Sequence, residues 1–248
     1  MPVPIKGRGT SQNFEGRFES RRVQTVDDGW WREVEESCVS TTVTAEVARS
    51  IIARNHSPVM RDVDLLADMS KRGLCQVFVS LTTLDDGLKR GLEPRAPSPG
   101  ARLRAIQALS QAGVAVGVLA APMIPAVNDH ELERIIAAAA HAGATSAGYV
   151  LLRLPNELKG LFEDWLRTHL PLRADHVLSR IRAMRDGRLN DARFGSRFHG
   201  RGAEARLLRQ RFELIARRLR LDGYPRPTLS CEQFRVPPKS GDQLGFGW

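Results

Sequence analysis

Apolar positions fall into helical stripes towards both ends of the chain and into continuous runs in its middle. Residues 1–43 show neither period. There "GRGTSQNFEGRF" and "DDGWW" read as an extended arm whose Phe14, Phe18, Trp30 and Trp31 need a surface to cover. From Thr44, the residues Val47, Ile51 and Ile52 share one stripe. They predict a helix that stops before Pro58, because the residue preceding a proline is pushed out of the α region. A second helix follows at once, with Val63, Leu66 and Met69 inward and Gly73 as its stop.

The middle of the chain alternates strand and helix. "CQVFVSLTT" (75–83), "VAVGVLAAPMI" (114–124) and "SAGYVLLRL" (146–154) are β-rich apolar runs. Between them, "SPGARLRAIQALSQAG" (98–113) opens with Ser98 as N-cap and Pro99 at the first helical position, and buries Leu103, Ile106 and Leu109. "NDHELERIIAAAAHAG" (128–143) has Asn128 and Glu131 in capping-box positions, with Leu132, Ile135 and Ile136 as its buried stripe. Near-continuous apolar strands separated by single helices predict an α/β fold, with a parallel sheet covered on both faces or closed as a barrel. After Pro155 the pattern is helical to about Met184, then irregular and arginine-rich. A last helix runs from about Ala203 to Leu221, with Leu208, Phe212, Ile215 and Leu219 on one face, before a loop-like tail.

Composition narrows the class. With 42% hydrophobic and 26% charged residues the chain has the balance of a globular protein. No apolar run approaches the roughly 18 residues of a membrane span, and the N-terminus lacks an apolar signal core, so the cytoplasm is the expected compartment. The net charge of +9 is concentrated: fifteen arginines against six acids lie between Arg173 and Arg226, and the remainder is balanced. Cys38, Cys75 and Cys231 lack the spacing of a metal knuckle or a disulfide framework and read as separate thiols, with Cys75 a small buried hydrophobe.

Ligands of α/β sheets and barrels bind beyond the C-terminal ends of the strands. On the first apolar strand, alternation places Gln76, Phe78, Ser80 and Thr82 on one face and Val77, Val79 and Leu81 on the other, so Ser80 and Thr82 point to the site side. The long loop that follows carries Glu93 and Arg95 around Pro94, an acceptor and a bidentate donor. The second strand leads to the helix N-terminus at Asn128, which is a cap before it is a ligand contact. The third ends at Arg153, placed to pair with Glu157. The histidines fall on helices or loops without ligand spacing and read as solvated or core residues.

The stretch from "VFVSLTTLDDGLKRGLEPRAPSPG" to "GYVLLRLP" resembles the second half of a radical S-adenosylmethionine barrel, closest to an uncharacterised bacterial branch related to spore photoproduct lyase. The flanks "GRGTSQNFEGRF", "FESRR", "TTVTAEVARSIIARNHSP" and "DARFGSRFHGRG" resemble that branch's arm and C-terminal signature. The resemblance implies a partial, TIM-like (β/α) barrel over 44–170, with an N-terminal arm over 1–43 and a basic helical region over 171–248. It implies S-adenosylmethionine and a 4Fe–4S cluster as cofactors, with Ser80, Thr82, Glu93, Arg95, Asn128 and Arg153 in or near the S-adenosylmethionine cleft. Members of the family place a C-x-x-x-C-x-x-C motif between the N-S-P that ends the leading helix and a later R-D-x-D-L-L. This chain passes from Ser57-Pro58 directly to Val59-Met60-Arg61-Asp62. About three strand–helix units, and the three cluster cysteines, are missing by that comparison, so the expected state is inactive and without a bound cluster. The first apolar strand would then stand at an open edge and favour self-association. A different class of function is a basic nucleic-acid-binding module, in which Arg193, Arg197 and Arg201 hold phosphates and Phe194 and Phe198 stack on bases.

Overall fold

The computed structural model describes residues 50–53, 56–193, 195–222 and 229–230. The expected arm, Val47, Cys38, Cys231, Phe194 and most of the tail lie outside the described residues. Four strands, β1 (Ser50–Ala53), β2 (Gln76–Ser80), β3 (Val116–Met123) and β4 (Ser146–Leu151), pair in parallel in the order β1-β2-β3-β4.

The first expected helix is the principal correction. Ser50–Ala53 is a strand in register with β2, Ile51 opposite Val77 and Ile52 opposite Phe78. Two adjacent β-branched residues suit a pleated strand once a partner edge is available, and that pairing overrides the helical spacing. The helix comes later, as α1 (His56–Arg61), and Pro58 sits inside its first turn, where a missing N–H costs no intrahelical bond. β2 is therefore not an open edge. Its flank is taken by β1, and the argument for self-association through it falls with that pairing. The outer edge of β4 is also bonded, since Ala147 N–H donates to the Leu221 carbonyl (3.0 Å) and Leu151 N–H to that of Phe198 (2.8 Å).

Three helices hand over to strands in the same way. After α2 (Val63–Lys71), Gly73 N–H reaches the Ser70 carbonyl and Leu74 N–H that of Met69. The pattern repeats at Gly113 after α4 (Pro99–Gln111) and at Gly143 after α5 (Leu132–His141). These glycines have φ of +66°, +78° and +99°, the left-handed C-terminal stop that a side chain would strain. The long loop expected after β2 contains α3 (Asp86–Leu92), whose N-terminus is capped by the Asp85 carboxylate accepting from Leu88 N–H at 2.8 Å.

The helix-facing residues of the sheet, Val77, Val79, Leu81, Val116, Val118, Ala120, Tyr149 and Leu151, join one cluster. Leu66 and Met69 of α2, Ile106 and Leu109 of α4, Ile135 and Ile136 of α5, and Leu208 of α8 (Gly202–Arg218) complete it. All four helices thus pack on one face. The other face carries Gln76, Phe78 and Ser80 as expected, next to Gly117, Leu119, Ser146 and Gly148. It is tightly fitted: Gln76 donates to Ser146 Oγ at 2.9 Å, and a Cβ on Gly117 would stand 2.5 Å from the Phe78 ring and collide with Ser146 Oγ. A second apolar cluster lies beyond the strand ends, where Ile124, Val127, Leu152 and Leu154 meet Leu92, α6 (Leu158–His169) and α7 (Ala174–Ala183). Trp165 Nε1 ties α6 to α3 by donating to the Gly91 carbonyl at 2.9 Å.

Candidate functional site

The polar residues at the C-terminal ends of β2 and β3 are buried, and they bond to one another. Thr82 Oγ1 lies 2.6 Å from Glu93 Oε1 and 3.0 Å from the Ala121 carbonyl, so its one proton serves the charged acceptor in preference. Ser80 Oγ donates to that same Ala121 carbonyl at 3.1 Å. The second oxygen of Glu93 pairs with Arg102 Nη2, and Arg102 Nη1 donates to the Ser80 carbonyl at 2.9 Å. Glu93 and Arg95 were expected as an acceptor and a donor beside a ligand; Arg95 is exposed, and the guanidinium that meets Glu93 is that of Arg102, from the first turn of α4. A carboxylate this deep needs a donor arriving through the core, and α4 lies against β2 and β3 whereas residue 95 is at the surface.

Asn128 is fully buried and does not cap a helix. Its Nδ2 donates to the carbonyls of Thr82 (2.7 Å) and Pro122 (2.9 Å), and its Oδ1 accepts from Ile124 N–H at 2.6 Å. Residues 129–131 form a 3-10 turn before α5, which shifts the register, so the expected capping box does not close. Glu131 instead turns to the Thr83 hydroxyl and to Leu84 N–H (3.3 Å). The effect is mechanical: Asn128 and Glu131 stitch the loop after β3 to the loop after β2.

Arg153, at the end of β4, is 8% exposed and sits with its guanidinium 5.3 Å over the Phe198 ring. Arg197 lies over that ring at 4.7 Å, so Phe198 is held by two cations rather than offered to a base. Beneath them Arg185 is buried and donates to the carbonyls of Leu152 (2.7 Å) and Arg197 (3.1 Å). Burial pushes its guanidinium down to about 10, with Asp191 pulling up and Arg153 pushing further down. Asp191 accepts from Arg193 Nε at 2.9 Å and Ser196 Oγ at 2.6 Å, and these bonds hold its carboxyl well below the usual range. Arg193 also reaches Asp186 at 2.5 Å, and Arg201 lies 3.8 Å from that same carboxylate. The arginines expected to grip phosphate are thus brought together, but around internal carboxylates and a shared ring.

Arg102 and Arg185 were not singled out from the sequence, and Glu131 was read only as a capping-box residue. The two arginines carried a signal: Arg102 precedes Ile106 and Leu109 on the buried stripe of α4, and Arg185 continues that of Leu178 and Ile181. A charge at an apolar position of a helical period marks a buried ion pair or a carbonyl clamp.

Among the described residues, no three His, Cys, Asp or Glu side chains stand close enough to hold a metal ion. Cys75 precedes β2, at the end of the sheet opposite the polar network. Its thiol points 3.6 Å from the Leu66 carbonyl, and burial pushes it up to about 11. It has the setting of a core residue, as expected, and not of a thiolate ligand. No helix among the described residues is long and apolar enough to cross a membrane.

No family model matches the chain, and no solved structure matches it. Relatives were found in uncharacterized proteins of Mycobacterium tuberculosis and Mycobacterium bovis, each 36% identical over 112 residues, which is 44% of this chain and 33% of the relative. An uncharacterized protein of Acidianus two-tailed virus is 39% identical over 67 residues, 27% of this chain and 22% of the relative. The chain is therefore similar to about a third of the length of its mycobacterial relatives, through a stretch that neither name assigns to an activity.

Proposed function

We propose that the chain is a radical S-adenosylmethionine barrel by descent that retains the later strand–helix units of the barrel and does not perform radical chemistry by itself. One observation supports the reading above others: four parallel strands run in sequence order while α2, α4, α5 and α8 all pack on one face. Doubly wound sheets reverse strand order and carry helices on both faces, whereas a barrel wall winds in one direction with helices outside and a packed face within.

Among the described residues, the side chains do not fit the family's cofactors. A 4Fe–4S cluster, when bound, supplies the electron that cleaves S-adenosylmethionine, and it requires convergent thiolates. Cys75 is buried, protonated and at the wrong end of the sheet. Of the side chains expected around S-adenosylmethionine, Ser80, Thr82, Glu93 and Asn128 spend their polar atoms on one another and on backbone carbonyls. They shape the strand ends and leave few donors for a ligand. The test is anaerobic reconstitution of the purified chain with iron and sulfide, followed by incubation with S-adenosylmethionine and a reductant. No iron–sulfur charge-transfer absorbance and no 5′-deoxyadenosine are expected. Appearance of both would overturn the inactive reading.

A nucleic-acid-binding role is the second reading, and α8 favours its electrostatic half. Arg206, Arg209, Arg217, Arg218 and Arg220 are exposed on or just after this helix, and among the described residues none forms an ion pair. Base stacking is not supported by Phe198, which two guanidiniums cover, or by Phe212, which packs on Tyr149 at 5.0 Å. Binding to a short DNA duplex should fall steeply with salt if this reading holds, and Arg217→Ala/Arg218→Ala should reduce the log–log slope by about 2. Negligible binding at low salt would remove it.

A further inference from the structure

A cleft of about 440 Å³ opens beside the buried network, where the loops after β2 and β3 face the junction of α6 and α7. This is the C-terminal side of the sheet, where α/β folds place their ligands, and the volume falls within the roughly 300–1,000 Å³ of small-molecule sites. Leu84, Leu88, Val127 and Leu170 form apolar walls, and Arg134 and Arg173 stand on its lining.

The charge balance of this cleft is set by which groups are already engaged. Two carboxylates line it: Glu131 is buried and turned to partners inside the protein, and Asp85 is exposed and engaged at the N-terminus of α3. Asp85 caps α3 through Leu88 N–H, and Glu131 takes the Thr83 hydroxyl and Leu84 N–H. The cations are differently placed. Arg134 is 70% exposed, with its nearest carboxylate oxygen 3.8 Å away on Glu131, and Arg173 is exposed with no carboxylate in ion-pair range among the described residues. The N-terminal turn of α5 borders the cleft at Glu131 and adds partial positive charge. A pocket with a wall of four apolar side chains under two exposed guanidiniums matches a molecule with an apolar body and one oxyanion, because a guanidinium presents paired donors to carboxylate or phosphate.

We propose that this cleft binds a small molecule consisting of an apolar body and a terminal oxyanion, carboxylate or phosphate, held by Arg134 and Arg173 over the wall of Leu84, Leu88, Val127 and Leu170. The site is separate from the strand-end residues considered for S-adenosylmethionine, and it does not depend on the chain's descent.

The test is calorimetric titration of the full chain with phenyl phosphate, 3-phenylpropionate and the neutral 3-phenylpropanol. Saturable binding of either anion, at least fivefold tighter than the alcohol, is expected; preference between the two anions identifies the oxyanion. Arg134→Ala/Arg173→Ala, at two exposed positions, is expected to weaken that binding at least fivefold while leaving thermal unfolding unchanged. Arg72→Ala, on the surface of the turn after α2, should stay within twofold of the parent. The proposal is overturned if neither anion binds saturably, if the alcohol binds within fivefold of the anions, or if the double variant keeps affinity within fivefold.

Discussion

Replacing Arg102 with methionine removes one member of a buried ion pair and leaves the other behind. Glu93 and Arg102 are 4% and 3% exposed, and the carboxylate keeps only the Thr82 hydroxyl once the guanidinium is gone. Breaking such a pair from one side costs about 3–5 kcal/mol, because the remaining charge is desolvated without compensation. The Ser80 carbonyl also loses the 2.9 Å bond from Arg102, which keeps the estimate in the upper half of that range. Urea unfolding followed by circular dichroism is the assay. With a slope of roughly 3 kcal/mol/M, the midpoint of Arg102→Met should fall by about 1.3–1.7 M at unchanged slope. The double variant Glu93→Leu/Arg102→Met removes both charges and should recover most of the loss, to within about 1–2 kcal/mol of the parent. The contrast is Arg72→Ala. Its partner Asp68 is 3.4 Å away with both side chains about half exposed or more, and about 0.5 kcal/mol or less is expected. A midpoint shift under about 0.3 M for Arg102→Met, or a double variant weaker than the single, would refute this reasoning.

Three further outcomes follow from the geometry. Asp191→Asn should cost about 1–3 kcal/mol at neutral pH through weakened bonds to Arg193 and Ser196. Folding depresses that carboxyl, so its contribution is present above the unfolded value of about 3.9 and is lost as pH falls through the folded one. The gap between parent and variant should narrow below about pH 4, and a constant gap would contradict the assignment. Cys75, buried and pushed up to about 11, should resist iodoacetamide in the native protein and react in urea; mass analysis of its peptide decides, and native labelling at the rate of a free thiol would exclude the buried setting. Gly117→Ala should destabilise by about 1–3 kcal/mol through overlap with Phe78 and Ser146, and Phe78→Ala in the same chain should relieve part of it; a neutral single substitution would show that this face is looser than the geometry implies.

The strand–helix alternation from Gln76 to Leu151 was legible because each run obeys one period and most end on a glycine or before a proline with a definite local role. Ser98 does cap α4, accepting from Ala101 N–H at 3.2 Å, and Gly73 and Gly113 do stop their helices. Ser50–Ala53 was not legible, because Ile51-Ile52 fits either period and only the β2 edge decides. At the site, Thr82, Glu93 and Asn128 were found from their place at a strand end or in the segment that follows one, but their partners were not. Arg102 is nine residues from Glu93 and Asn128 is 46 from Thr82, and such pairings depend on the packing of α4 and on the turn at 129–131. In the same three-dimensional context, residues expected to face a ligand form internal ties between two loops.

Whether the sheet is part of a wall from a larger barrel is measured most directly by a graft. The cluster-bearing strand–helix units of a spore photoproduct lyase-like protein would be inserted between Pro58 and Val59, and the folded product reconstituted anaerobically. If the described sheet is the later part of such a barrel, the chimaera should bind about one 4Fe–4S cluster per chain, where the chain alone is expected to bind none, and cleave S-adenosylmethionine to 5′-deoxyadenosine. A chimaera that unfolds cooperatively as one unit yet holds no cluster would contradict it.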